Sequence, residues 1–272
     1  MEVVDRHGWV EGMTIKSYGR HIGFRSDQPG IIEQFHDLFP PGWERSDHVE
    51  VRRLYSLRTG GKKGRRQRNH LLYMNASRLV SSRDYQWMLD RLEADLHLYV
   101  AERADRRIFV HAGVVAYNGK ALLLPGRTMA GKTTLVEELL KLGATYYSDE
   151  YAVISESGRV YPFPRRLSVR RDDVNDRPDR RQASEYGAPT GIKAIPIGLV
   201  ALTGFKAGAT FRPRSVTSGR AILALLEHTV PARRRPRASI RTLDRALAGA
   251  TVVKGVRGEA RRAAEMLLAR MV

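Results

Sequence analysis

Residues 126–133 constrain the fold of this chain more than any other segment, because they match the phosphate-loop pattern G-x-x-x-x-G-K-[ST] at every fixed position. A continuous apolar run at 121–124 precedes the loop and predicts a strand that is buried on both faces. An amphipathic pattern follows over 131–142, with Gly143 placed as the C-terminal stop of a helix. The sequence therefore predicts strand, loop and helix in succession, the context that a phosphate loop requires.

The residue types in this loop suit a bound polyphosphate. Glycines let the backbone turn so that N–H groups point at phosphate oxygens, and a helix N-terminus adds its positive dipole end. Lys132 is expected to reach the β- and γ-phosphates, and the Thr133 hydroxyl to bind Mg²⁺. The alternative is an ordinary strand-to-helix turn. We predict that ATP and Mg²⁺ bind, with these nucleotide-binding residues: Gly126, Arg127, Thr128, Met129, Ala130, Gly131, Lys132, Thr133 and Thr134.

Two adjacent acids, Asp149 and Glu150, follow the strand predicted at 145–147. Folds with such a loop place an acidic residue at the end of a neighbouring strand, where it holds the metal ion or its water. One acid of the pair would accept a proton from the phosphoryl acceptor, and the other would lie near the metal. A plain acidic turn between two strands is the alternative interpretation.

His111 is a further candidate, just upstream of the strand that leads into the loop. An isolated histidine is more often a structural residue than a catalyst. Its position would bring it beside Asp149, and that placement would favour a catalytic role.

The pattern changes near residue 105, which predicts an α+β domain over 1–104 and an α/β domain over 105–272. In the first domain, half-buried strands are predicted at 13–24 and 49–57 and a short helix at 29–39. A long helix is predicted after a capping box formed by Ser81 and Asp84. In the second domain, besides the loop, the sequence predicts a strand pair at 108–110 and 114–117 and a hairpin turn at 117–120. Further strands are predicted at 145–147, 151–155, 160–163 and 195–202, and helices at 218–228 and 258–271. Residues 231–236 read as a basic linker, and the polar segment 171–190 as a candidate lid or substrate clamp.

The charge balance points to anionic partners. The 47 Lys and Arg against 29 Asp and Glu give a net charge of +18, clustered at 51–68, 165–171 and 233–237. Such a field attracts acidic proteins or nucleic acid, although an arginine-rich chain also simply places arginine on solvated surfaces. We expect an acidic partner at these patches before nucleic acid, and substrate docking on the 1–104 domain, because it carries the 51–68 run.

Other features favour a cytoplasmic protein. The chain has no cysteine, which excludes disulfides and thiolate chemistry. No apolar run approaches the roughly 18 residues that a membrane span needs, and no signal-like segment is recognised at the N-terminus. We expect no membrane span.

Three segments together resemble the C-terminal kinase domain of HPr kinase/phosphorylase, and more closely the stand-alone HPr-kinase-related proteins, some of which occur beside peptide-modification genes. They are His111-Ala112-Gly113-Val114-Val115, the 126–133 loop, and the 143–150 segment that ends in Asp149 and Glu150. The resemblance covers about 108–170. Arg166-Leu167-Ser168-Val169-Arg170 stands where the full enzyme has an L-E-I-R-G-x-G run, so the resemblance does not extend to HPr recognition or phosphorylase activity.

The resemblance implies a P-loop kinase core of the HPr kinase/PEP carboxykinase type, and an ATP-dependent kinase that phosphorylates a Ser or Thr hydroxyl of a peptide or protein. It implies that Asp149 is the general base, with His111 hydrogen-bonded to it. Lys132 would bind the triphosphate, and Thr133, Glu150 and Asp149 are the candidate residues at the metal. It also implies a homo-oligomer.

Two other functions stay open on the sequence. One is a nucleotide-dependent binding module or degenerate kinase, whose basic surface holds nucleic acid or an acidic partner. The other is a carboxykinase-like metabolic enzyme, for which no oxaloacetate-binding constellation is recognised. A general base at Asp149 separates the kinase from the binding module, because nucleotide-gated binding needs none.

Overall fold

A computed structural model describes residue 5 and residues 8–63, 66–126, 131–169 and 179–272, the side chains of 62 and 63 and of 66 and 67 excepted. The chain is an α/β protein that divides into two compact units, Met1–Asp105 and Arg106–Val272. We call these the N-terminal and C-terminal units.

The N-terminal unit is built on a sheet with the strand order β3-β1-β2-β4-β7-β8, in which β2 and β4 are parallel and the other neighbours antiparallel. The alternating pattern predicted at 13–24 forms a hairpin, and its apolar positions Ile15, Ile22 and Phe24 are buried. β5 and β6 form a separate ribbon. The strands are β1 (Glu11–Ser17), β2 (Arg20–Ser26), β3 (Glu44–Ser46), β4 (Arg53–Arg58), β5 (Lys62–Lys63), β6 (Arg66–Gln67), β7 (His70–Met74) and β8 (Ser77–Ser82).

Helix α1 (Tyr85–Arg103) packs on β7 and β8 and confirms the predicted long helix. The predicted capping box is wrong, because Ser81 lies in β8 and Asp84 is itself the N-cap, accepting a hydrogen bond from the Trp87 amide. The short helix predicted at 29–39 is a 3-10 helix over Glu33–Leu38.

The C-terminal unit contains a mixed sheet with the order β13-β12-β9-β10-β16-β18-β17, and β11 also pairs with β9. β10, β16 and β18 are parallel neighbours, whereas β9 runs antiparallel to β10, β11 and β12. A separate hairpin joins β14 and β15. The strands are β9 (Arg107–Tyr117), β10 (Lys120–Pro125), β11 (Thr145–Ser148), β12 (Tyr151–Ser155), β13 (Val160–Tyr161), β14 (Leu167–Val169), β15 (Asp179–Arg181), β16 (Ile197–Phe205), β17 (Arg214–Ser215) and β18 (Thr251–Arg257).

Helices cover both faces of this sheet, which is why the run at 121–124 has no polar position. Leu122 and Leu124 face the side packed by α2 and α5, and Leu123 faces the side packed by α3 and α4. The helices are α2 (Lys132–Lys141), α3 (Ser218–Leu226), α4 (Pro236–Leu247) and α5 (Ala260–Leu268), with 3-10 turns at Ala183–Tyr186 and Val230–Arg233. None of the described helices combines the length and apolar character that a membrane crossing requires.

Several predictions for this unit are confirmed: the buried strand before the loop, the helix after it, and the hairpin turn, where Asn118 and Gly119 both have positive φ. The predicted strand pair around His111 is wrong, because β9 is one continuous strand. The predicted linker at 231–236 is also wrong. The segment contains a 3-10 turn and leads directly into α4, a helix that was not predicted. Of the segment 171–190, residues 171–178 lie outside the described residues.

Candidate active site

The predicted phosphate loop lies between the end of β10 and the start of α2. Gly126 follows β10 and is buried, and Gly131 is the N-cap of α2 with a φ of 72°. That left-handed conformation favours glycine, which fits the second fixed glycine of the pattern. Arg127, Thr128, Met129 and Ala130 lie outside the described residues.

Lys132 lies at the first position of α2 and bridges the two ends of the loop. Its Nζ donates a hydrogen bond to the Gly126 carbonyl oxygen over 2.9 Å. Burial lowers the pKa of Lys132, and the negative charges of Glu150 and Asp149 oppose that shift. The Lys132 ammonium group belongs to a residue that lines the same cavity as both carboxylates, where it would meet an incoming anion.

One cavity of about 280 Å³ brings the described site residues together. It draws residues from β9, from the first turns of α2, from the segment between β11 and β12, and from β14. All the described residues predicted at the site line it except Gly126. The lining residues are His111, Gly131, Lys132, Thr133, Thr134, Glu137, Asp149, Glu150, Ser168 and Val169.

Asp149 is the deeper of the two acids, with only 8% of the residue exposed. Its Oδ1 accepts a hydrogen bond from the Tyr146 hydroxyl over 3.0 Å, and its Oδ2 accepts one from the Ser168 amide over 3.2 Å. Burial raises the pKa of Asp149 above its usual range, because it penalises the charged form, while both hydrogen bonds act in the opposite direction. A buried carboxylate with a raised pKa and a fixed orientation has the properties of a general base.

Glu150, not Asp149, is the carboxylate that faces His111 in the described part of the chain. The His111 Nδ1 lies 3.9 Å from the Glu150 Oε1, and no hydrogen bond joins His111 to Asp149 among the described residues. The sheet register explains this, because Tyr151 pairs with His111 and the Ala112 amide donates to the Glu150 carbonyl. This corrects the hydrogen bond to Asp149 that the family resemblance implied.

His111 is uncharged at neutral pH. Burial, followed by the nearby charges of Lys132 and His228, lowers the pKa of His111 to about 4. The contact with Glu150 is therefore between a neutral ring and a carboxylate. The other side of that carboxylate is near Arg165, whose Nη1 lies 3.8 Å from the Glu150 Oε2.

Several side chains that line this cavity carry oxygen atoms that could bind a metal ion. The described residues contain no group of three or more His, Asp or Glu side chains that could hold a metal ion. The oxygen-bearing side chains that line the cavity are the hydroxyls of Thr133, Thr134 and Ser168 and the carboxylates of Glu137, Asp149 and Glu150. Mg²⁺ is commonly held by one or two carboxylates together with phosphate oxygens, so this set fits a metal ion that arrives with a nucleotide.

Several residues at the site were not predicted from the sequence, including Glu137 and Val169, which line the cavity. Tyr146 and Ser168 hydrogen-bond to Asp149, and Arg257 donates to the Gly131 carbonyl. Tyr146 lies three residues before Asp149, in a strand that was predicted, so its proximity gave a usable signal. Ser168 and Arg257 are distant in the chain, and no local pattern marks them.

The positive charge is distributed unevenly over the two units. In the N-terminal unit, Lys and Arg barely outnumber Asp and Glu, whereas in the C-terminal unit they outnumber them about two to one. Within the 51–68 run, Arg53 and Arg58 form ion pairs with Asp95 and Asp27, at 2.9 and 3.8 Å. The excess charge therefore belongs to the unit that contains the cavity.

A scan against protein-family models found no model that matches this chain, and a search of curated proteins found no significant match. The functional interpretation therefore depends on the site geometry and on the motifs that the sequence carries.

Proposed function

We propose that this protein is an ATP-dependent kinase that transfers the γ-phosphoryl group to a hydroxyl, with a Ser or Thr of a peptide or protein as the acceptor. One observation carries the proposal: the first turn of α2, with Lys132 and Thr133, shares a cavity with Asp149 and Glu150. A phosphate-binding helix N-terminus and a pair of carboxylates are the two parts that phosphoryl transfer to a hydroxyl requires.

The α2 end of the site would bind the triphosphate. Free amides of the first helical turn and the positive end of the helix dipole attract phosphate oxygens. The Lys132 ammonium would move from the Gly126 carbonyl to the β- and γ-phosphates. Thr133 and Glu150, which line the same cavity, would hold the Mg²⁺ that accompanies ATP as part of the substrate.

Asp149 would act as the general base for the acceptor hydroxyl. Its raised pKa brings it closer to neutral pH, and its two hydrogen bonds fix the direction of its carboxylate. Neutral His111 would orient Glu150 rather than Asp149, since Glu150 is the carboxylate within reach of its ring. Most of the acceleration would come from positioning and from neutralising phosphate charge.

The order of the elements supports assignment to the HPr-kinase-like class of P-loop kinases. β9 carries His111, β10 leads into the loop, and the acids follow β11 after α2. We include in this proposal the core of the HPr kinase/PEP carboxykinase type, an acidic segment of the acceptor bound at the basic surface, a cytoplasmic location and self-association. Each is an implication of the resemblance or of the composition.

Transfer of labelled γ-phosphate from ATP with Mg²⁺ to peptides and proteins encoded beside this gene tests the proposal. Label is expected on a Ser or Thr hydroxyl with the wild type, and its loss with Lys132→Ala and Asp149→Asn. Lys141→Ala is a matched control, because Lys141 lies at the far end of α2, pairs with Glu138 and does not line the cavity. If ATP binds without any transfer while short nucleic acids bind in a salt-sensitive way, the protein is a binding module.

A further inference from the structure

Arg257, the last residue of β18, is bonded to the point where α2 begins. Its Nη2 donates to the Gly131 carbonyl oxygen over 2.7 Å, and its Nη1 donates to the Gly258 carbonyl oxygen over 3.2 Å. The Gly131 carbonyl also accepts the Leu135 amide, the hydrogen bond that opens α2. The guanidinium group therefore fixes the same peptide unit that sets the direction of the helix N-terminus.

Gly131 and Arg257 fit each other closely. A Cβ added at Gly131 would lie 2.6 Å from the Arg257 Nη2, which is shorter than real Cβ contacts. The left-handed φ of Gly131 favours glycine as well. The glycine thus serves two purposes, since it allows the turn and leaves room for the arginine.

The charge of Arg257 is buried without a matching anion in the described part of the chain. The residue is 3% exposed, its Nε has no hydrogen-bond partner there, and no described carboxylate lies within salt-bridge distance. Burial lowers the pKa of Arg257, and the charge of Glu259 compensates only in part. A buried charge that is only partly compensated is costly in a folded protein, so an anion supplied by a ligand would relieve that cost.

We propose that Arg257 is a positioning residue for the phosphate chain of the nucleotide, which holds the N-terminal turn of α2 in place and supplies a fixed positive charge beside Gly131 at the start of that helix. It does not line the cavity, so it acts through Gly131 and not by touching the substrate. Its field passes through the protein interior, where charges are screened less than in water. The inference rests on the proposed function, because it requires phosphates at this loop.

A positive charge at the N-terminal turn of α2 should strengthen nucleotide binding more when the nucleotide carries more phosphates. We would measure the dissociation constants of ATP, ADP and AMP by calorimetry at fixed salt and Mg²⁺, for the wild type and Arg257→Gln. Arg257→Gln is expected to weaken ATP binding at least about tenfold, which corresponds to 1.4 kcal/mol. The affinity for ADP should fall by a smaller factor, and the affinity for AMP by the smallest. Arg261→Gln is the matched control, because Arg261 is an exposed arginine on the adjacent helix α5, and it should bind all three as the wild type does.

Arg257→Lys separates charge from the two-pronged hydrogen bond. It keeps the charge, so its ATP affinity is expected between those of the wild type and Arg257→Gln, and it carries the test if the glutamine variant does not fold. An equal loss for ATP, ADP and AMP, or no loss, would overturn the role of Arg257 and leave the proposed function standing. Failure of the wild type to bind any of the three nucleotides would overturn both.

Discussion

The Tyr146 hydroxyl lies 3.0 Å from the Asp149 Oδ1, and both side chains are almost fully buried. The same hydroxyl lies 2.9 Å from the Arg165 carbonyl oxygen. A phenol has a single proton to donate, so the two acceptors compete for it. The Ser168 amide holds the second carboxylate oxygen, which leaves Asp149 oriented from two sides.

Tyr146→Phe should weaken the action of Asp149 as a base while leaving its carboxylate in place. The lost hydrogen bond leaves a buried acceptor unsatisfied, so the free energy of unfolding should fall by about 1–3 kcal/mol in urea titrations. Because that bond favours the charged form, the pKa of Asp149 should rise further, and the acid limb of the kcat/KM profile should move to higher pH. Tyr147→Phe, which removes a hydrogen bond to the Lys193 carbonyl, should leave the profile in place. An unshifted profile for Tyr146→Phe would contradict the assignment of Asp149 as the base.

Gly131→Ala should reduce both stability and nucleotide affinity. A left-handed conformation costs an ordinary residue about 1–2 kcal/mol, and here the added Cβ also meets Arg257. Gly143→Ala is the matched control at the other end of α2, because Gly143 has a φ of 89° with open space around it. Gly143→Ala should lower the stability of the protein and leave its ATP affinity unchanged. Equal ATP affinities for the two variants, measured by calorimetry, would argue against a role for the Gly131–Arg257 contact.

Gly113→Ala should displace α2 from the sheet. A Cβ at Gly113 would lie 2.8 Å from the Val136 Cγ2, at the surface where α2 packs on β9. Overpacking of this kind typically costs about 1–3 kcal/mol. Gly219→Ala, in helix α3 with open space around it, should be neutral or should stabilise by up to about 1 kcal/mol. Urea unfolding measures both, and equal stabilities of the two variants would show that the contact at Gly113 has no cost.

His111 should make the protein less stable as the pH falls below neutral. Its pKa is about 4 in the folded protein, against an ordinary 6.5, so the unfolded chain binds more protons between these values. Stability therefore decreases as the pH falls from 6.5 towards 4. Removing the group removes this contribution, so His111→Gln should gain stability relative to the wild type between pH 7 and pH 5. Urea titrations at both values test it, and a difference that does not change with pH would contradict it.

Local patterns predicted the elements whose residue types are informative over a short segment. The Asn118–Gly119 turn has residues that adopt positive φ, the strand before the loop is a continuous apolar run, and α2 is amphipathic, so these elements could be identified without knowledge of their tertiary contacts. Helix α4 was missed because Pro236 and its arginines resemble a linker. Its residues Leu243 and Leu247 are four positions apart and pack beside β-strand residues, so an apolar face at helical spacing is present in the sequence after Pro236.

The sequence by itself determined the chemistry of the candidate site: a phosphate-loop pattern with Lys132, and the acids Asp149 and Glu150 at the end of the next strand. Only the tertiary structure decided which groups meet. The register of β12 against β9 brings Glu150 to His111, and β18 brings Arg257 to Gly131 across 126 residues of chain. Contacts of this kind depend on strand order, register and helix packing, which the whole core sets together. No short segment of sequence encodes them.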